Sequence, residues 1–157
     1  MGASGEEQPV TSFTCEVTID RPVEAVYSFV NEPSNNVKWQ TSTVEVSPLT
    51  EGPPGVGTKA TEVRQFLGRR FEWSYEVIEH VPNERSAVRF TSGPIPGGGT
   101  WIFEPLDGRT RFTWVVNMEA SGFFKLAEPV FARLARREVQ SNCGHLKDLL
   151  EAGLDSP

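Results

Sequence analysis

Apolar and polar residues alternate from Phe13 to Ile19, with Phe13, Cys15, Val17 and Ile19 on one side and Thr14, Glu16 and Thr18 on the other. A period of two predicts a half-buried strand. Asp20-Arg21-Pro22 then reads as a helix start: a capping-type residue followed by a proline near the first helical position. Val23, Val26, Tyr27 and Val30 repeat at helical spacing, so a short helix is expected to end before Pro33. Pro33-Ser34-Asn35-Asn36 is rich in turn and cap residues, with a helical turn reaching Trp39. Thr43 to Ser47 alternates again, with Val44 and Val46 on one side. Glu51 to Gly57 has the composition of a loop.

Beyond this loop the pattern is almost all strand. Lys59 to Phe66 is one, and Leu67-Gly68-Arg69 a tight turn. Phe71, Trp73, Tyr75 and Val77 form an apolar face, with Glu72, Ser74 and Glu76 opposite. Val88 with Phe90, Trp101 with Phe103, and Phe112, Trp114, Val116 with Met118 mark three more strands. Val81 to Glu84, Pro94 to Gly99 and Leu106 to Gly108 read as the links between them. Such short links imply antiparallel pairing. The last segment changes period: Phe131, Leu134, Ala135, Val139, Cys143, Leu146 and Leu150 recur at three and four residues, as in an amphipathic helix of several turns. One long helix must bury its stripe on one face of the sheet. The fold class expected is therefore α+β, a twisted antiparallel sheet curled around a C-terminal helix.

At 157 residues the chain is the size of one domain, which needs neither disulfide nor metal to hold it. Residues 1–11 read as a flexible tail, 12–152 as the domain and 153–157 as a second tail. Cys15 and Cys143 lie in apolar-patterned segments and read as reduced core thiols, which points to the cytoplasm. The net charge of −6 argues against a nucleic-acid partner. No apolar run approaches the ~20 residues of a membrane-spanning helix, so no stable membrane insertion is expected. The open sheet edges fit a monomer or a homodimer.

Several motifs fall away. Gly55-Val56-Gly57-Thr58-Lys59-Ala60 matches a dinucleotide-binding pattern, but prolines precede it and a strand follows, where that chemistry needs a strand before and a helix after. No histidine, cysteine and carboxylate spacing resembles a metal site, and no cofactor is expected. Of the two histidines, His80 reads as an exposed turn residue, and His145, near the edge of the helical stripe, is the one histidine to test as a general base. Arg133, Arg136 and Arg137, with Lys125 before them, read as a solvated helix face rather than a membrane surface.

The strongest pocket signal is aromatic. Trp73, Tyr75, Phe90, Trp101, Phe103 and Trp114, together with Phe112, can all face the helix, and so many large rings need not pack without gaps. Phe131 and Leu134 would close the pocket from the helix side. Tyr75, Glu138 and Asn142 would supply its polar groups, and Tyr75 and Glu138 join His145 as candidate acid–base residues. A buried Glu138 is costly unless it is paired or serves a ligand. Glu62 and Arg64 share one face of their strand and would place charge in the cavity if that face is concave.

The chain resembles the START-like, helix-grip (SRPBCC) superfamily, which includes polyketide cyclases. The landmarks are Ile19-Asp20-Arg21-Pro22 followed by Val23 to Tyr27, then Trp39, then Gly55-Val56-Gly57. Trp73-Ser74-Tyr75-Glu76-Val77 with Pro82, Phe103-Glu104-Pro105, Gly108-Arg109-Thr110 and the terminal helix complete them. The resemblance covers about Thr11 to Ala152. It implies a seven-stranded sheet, two short helices after the first strand and a cavity under the long helix. It does not imply one activity. Binding of an apolar small molecule, lipid, polyketide or quinone-like, ranks first; a cyclase or dehydratase-like enzyme using cavity acid–base groups ranks second; a filled-core protein-interaction module ranks third.

Overall fold

The computed structural model describes residues 10–66, 68–119 and 128–155, with the side chains of residues 10, 66, 128 and 131 outside that description. The tail expected at the N-terminus lies outside the described residues as far as residue 9, as do Leu67 and Lys125. Strand β1 (Val10–Ile19) leads into helix α1 (Val23–Val30), a 3-10 turn (Pro33–Asn35) and the one-turn helix α2 (Asn36–Trp39). Six strands follow: β2 (Thr43–Pro48), β3 (Lys59–Phe66), β4 (Arg69–Val81), β5 (Arg85–Ser92), β6 (Gly97–Leu106) and β7 (Arg109–Glu119). Helix α3 (Glu128–Glu151) closes the fold. All seven strands form one antiparallel sheet in the order β1-β7-β6-β5-β4-β3-β2. The fold is the expected α+β helix-grip, with α3 packed along β1 and the sheet curved around it.

The core sits between the concave face and the helices. Phe13, Trp101, Phe103, Phe112 and Trp114 from the sheet meet Val26 and Val30 of α1 and Val139, Cys143, Leu146 and Leu150 of α3. Trp39 of α2 is wholly buried and packs its ring 5.2 Å from that of Trp114 and 6.2 Å from that of Phe112. Those edge-on contacts suit aromatic quadrupoles. Val44, by contrast, stays exposed on β2, because a strand at the sheet edge has little to bury against.

Three local expectations are corrected. Asp20 does not cap α1: the N-cap is Pro22 with no side-chain bond, and the Asp20 N–H instead donates to the Glu151 carboxylate at 2.9 Å. Pro94 to Gly99 is not wholly a loop, since β6 begins at Gly97. A Cβ at Gly97 would collide with the Asn117 carbonyl, and one at Gly98 with the Val88 carbonyl. The glycines thus permit close backbone approach rather than loop freedom. Finally, Cys15 and Cys143 are not free thiols but a disulfide joining β1 to α3, with their Cα atoms 6.7 Å apart. Both side chains face the interface between strand and helix, and that spacing is within reach of a bridge. A bridged pair gives no ground for a reducing compartment.

The chain after α3 folds back. The Leu154 N–H donates to the Leu149 carbonyl, and Asp155 takes two hydrogen bonds from the Arg21 guanidinium, at 2.8 and 3.0 Å. Arg21 also donates to the Leu150 carbonyl at 2.8 Å, satisfying one of the open carbonyls at the helix end. Among the described residues, no helix is long and apolar enough to cross a membrane.

Candidate functional site

The site begins with a charge buried inside the sheet. Glu62 on β3 is 2% exposed, so its face is the concave one. An isolated carboxylate there would be prohibitive, and each of its oxygens has a partner. Oε1 accepts from Asn36 Nδ2 at 2.5 Å; Oε2 accepts from Arg64 Nη2 at 2.9 Å and Nε at 3.2 Å. Arg64 Nη2 also donates to Gln40 Oε1 at 2.9 Å. The helical turn around α2 therefore supplies Asn36 and Gln40 to hold an ion pair that β3 alone could not bury.

Beside this pair lies Tyr75 of β4. Its oxygen accepts a long 3.5 Å bond from Asn36 Nδ2, and its own proton has no acceptor among the described residues. Burial, reinforced by the Glu62 charge, raises its pKa well above the usual phenol, so the hydroxyl stays protonated and donates.

A small pocket of about 70 Å³ opens over this group. Its floor is Glu62, Arg64, Tyr75, Trp101 and Trp114. Asn36 and Gln40 flank it at one side, Val116 and Met118 at another, and Ala135, Glu138, Val139 and Asn142 of α3 roof it. Gly98 and Gly99 also line it; a Cβ on Gly99 would stand 3.2 Å from Trp114 Nε1, so the missing side chain is part of the space. The pocket is about half the ~150 Å³ of a cavity known to hold a benzene ring.

Several polar atoms here lack partners among the described residues. Asn36 Oδ1, Glu138 Oε1 and Trp101 Nε1 are buried and unpaired. Asn142 is satisfied: its Oδ1 accepts from the Thr41 N–H at 3.0 Å and from Thr41 Oγ1 at 3.1 Å.

Of the residues singled out from sequence, the pocket gathers Tyr75, Phe90, Trp101, Trp114, Glu138 and Asn142. Trp73, Phe103 and Leu134 stand outside it. Trp73 packs against Phe71 and Phe90 with the Arg64 guanidinium 6.0 Å from its ring. Phe103 packs against Tyr27 and Phe112. The Phe131 side chain lies outside the described residues. His145 is exposed on α3, away from the pocket. Sequence reasoning did not single out Asn36 or Gln40, because a one-turn helix carries almost no periodic signal.

His80 is not the exposed turn residue expected. The register of β4 against β5 shifts between Val77 and Glu79, and that bulge returns His80 to the face of Ser86 and Trp101. His80 Nε2 lies 3.2 Å from the Pro54 carbonyl, which only accepts, so Nε2 carries a proton. Tyr27, whose pKa burial pushes up to about 12, donates its hydroxyl to Nδ1 at 2.7 Å. This clasp fastens the loop before β3, and the Gly57 N–H adds a 2.8 Å bond to the Val77 carbonyl. The loop from Gly52 to Gly57 does not border the pocket.

The chain matches the family model described as polyketide cyclase / dehydrase and lipid transport over residues 10–151, and it belongs to that family. Solved structures share the fold. The Thermus thermophilus protein TTHA0849 superposes with a TM-score of 0.80 at 20% identity, covering 91% of this chain and 99% of its own. The Zhui aromatase/cyclase from Streptomyces sp. R1128 gives 0.70 at 17% identity, covering 92% and 98%. A START superfamily protein from Mycobacterium smegmatis gives 0.66 at 13% identity, covering 90% and 94%. No curated protein matches the sequence.

Proposed function

We propose that this protein binds a largely apolar small molecule with a polar end in the pocket between the sheet and α3. The observation that carries the reading is a pocket walled by Trp101, Trp114, Val116 and Val139 whose buried polar atoms, Asn36 Oδ1 and Glu138 Oε1, have no partner among the described residues. Each such atom costs about 1–3 kcal/mol; Trp39 Nε1, Thr43 Oγ1, Trp73 Nε1 and Ser86 Oγ carry that cost away from the pocket, whereas Asn36 and Glu138 border space that a ligand can enter. The pocket is too tight for a ring, so binding requires a wall to move. Met118, half-buried at the pocket's edge, has the flexible side chain to do so.

A second reading has one observation behind it. Glu138 offers an unpaired carboxylate oxygen and Tyr75 a free O–H donor into the same space. A base and a hydrogen-bond donor converging on one substrate can draw a proton from beside a carbonyl while steadying the oxygen. That is the proton chemistry a cyclase or dehydratase uses.

Trp101 and Trp114 make binding visible as a change in intrinsic fluorescence. Titration with a panel of quinones, polyketide analogues and lipids should give saturable quenching with at least one class. Ala135→Leu, which fills the pocket from α3, should weaken that binding at least tenfold while leaving the melting temperature within a few degrees. Equal binding by both proteins would place the ligand elsewhere.

A further inference from the structure

Resting on that binding reading, we infer that the ligand is uncharged and hydroxylated rather than a fatty acid or an amine. The residues that line the pocket carry unpaired atoms of both kinds. Asn36 Oδ1 and Glu138 Oε1 only accept, and both are buried without a donor among the described residues. Asn36 as a whole is 2% exposed. Trp101 Nε1 only donates and is likewise buried without a partner. Tyr75 adds a donor: its oxygen accepts from Asn36, and its own proton has no acceptor among the described residues.

A carboxylate ligand would satisfy the donors, but it has no proton for Asn36 Oδ1 or Glu138 Oε1. It would also enter a site whose formal charges, Glu62 and Glu138 against Arg64, sum to −1. An ammonium group would satisfy the acceptors and leave Trp101 and Tyr75 unpaired. A hydroxyl donates and accepts at once, so a small molecule with two hydroxyls on an apolar frame meets both kinds of group. Leaving a site's buried polar groups unpaired is what discriminates most strongly between ligands of one shape.

The test is isothermal titration of the full chain with three probes of similar size: resorcinol, 1,3-dimethoxybenzene and benzoate. Resorcinol should bind at least tenfold more tightly than either of the others. Glu138→Met, at a half-buried helical position, should weaken resorcinol about tenfold and leave 1,3-dimethoxybenzene within twofold. Preference for benzoate, or for the dimethyl ether, would overturn the inference while leaving the pocket as a binding site. The same holds if Glu138→Met leaves resorcinol binding unchanged. Failure of all three to bind would overturn this inference, and the pocket reading with it if the quinone, polyketide and lipid panel also leaves the fluorescence unchanged.

Discussion

Glu62 survives in the core because Arg64, Asn36 and Gln40 surround the charge with donors and acceptors. Such pairs seldom add net stability, but removing one partner strands the other. Arg64→Met should therefore lower the unfolding free energy by about 3 kcal/mol. The double variant Glu62→Met/Arg64→Met should recover most of that loss, because two apolar side chains leave no charge behind. Urea denaturation of the wild type and the two variants checks this, and a double variant less stable than Arg64→Met alone would contradict it. Position 62 also marks the limit of what the residues reveal. The alternation along β3 puts Glu62 and Arg64 on one face, yet which face is concave is set by distant parts of the chain such as Asn36, 26 residues away, not by β3 itself.

At the scale of elements, the two walls of the pocket are tied together. The Cys15–Cys143 bridge joins β1, which carries Phe13, to α3, which carries Val139 and Asn142. It spans 128 residues, and closing so long a loop in the unfolded chain is worth up to about 4–5 kcal/mol. Reductant should lower the melting temperature of the wild type and have no effect on Cys15→Ala/Cys143→Ala. A wild type that melts identically with and without reductant would refute the tie. The far end of α3 is held differently, by Arg21 on Asp155. The Arg21 guanidinium holds the Asp155 carboxyl below its ordinary range. A lowered folded pKa means the contribution is fully present above the unfolded value of about 3.9 and is lost as the pH falls through the folded value. Asp155→Asn should cost up to about 1 kcal/mol at neutral pH, and the gap from wild type should close as the pH falls through the lowered folded value. Stability curves at several pH values measure it. Neither tie was legible from the chain. Two cysteines do not declare a register, and Gly153-Leu154-Asp155 reads as a loose end until Arg21 is seen beside it.

For the whole molecule, periodicity was enough to order the elements. The switch from a period of two to one of 3.6 after Met118 marked the terminal helix, and the short polar links fixed the antiparallel order. The candidate site was legible in its aromatic strands and in Glu138 and Asn142 of the terminal helix. Tyr75, Phe90, Trp101 and Trp114 lie on strands whose alternation is strong. Their companions Asn36 and Gln40 come from a turn with no pattern, and His80 was misplaced because a bulge inverts the alternation that the sequence displays. Under the proposed function the curved sheet, closed over a small pocket, is a container. Native mass spectrometry of the purified full chain, compared with the mass after denaturing extraction, tests this most directly. A passenger released in near-stoichiometric amount, and absent from Ala135→Leu, is the predicted result. Wild-type protein that carries no passenger, and gains none when titrated with hydroxylated apolar compounds, would contradict the container and leave a packed core as the better account.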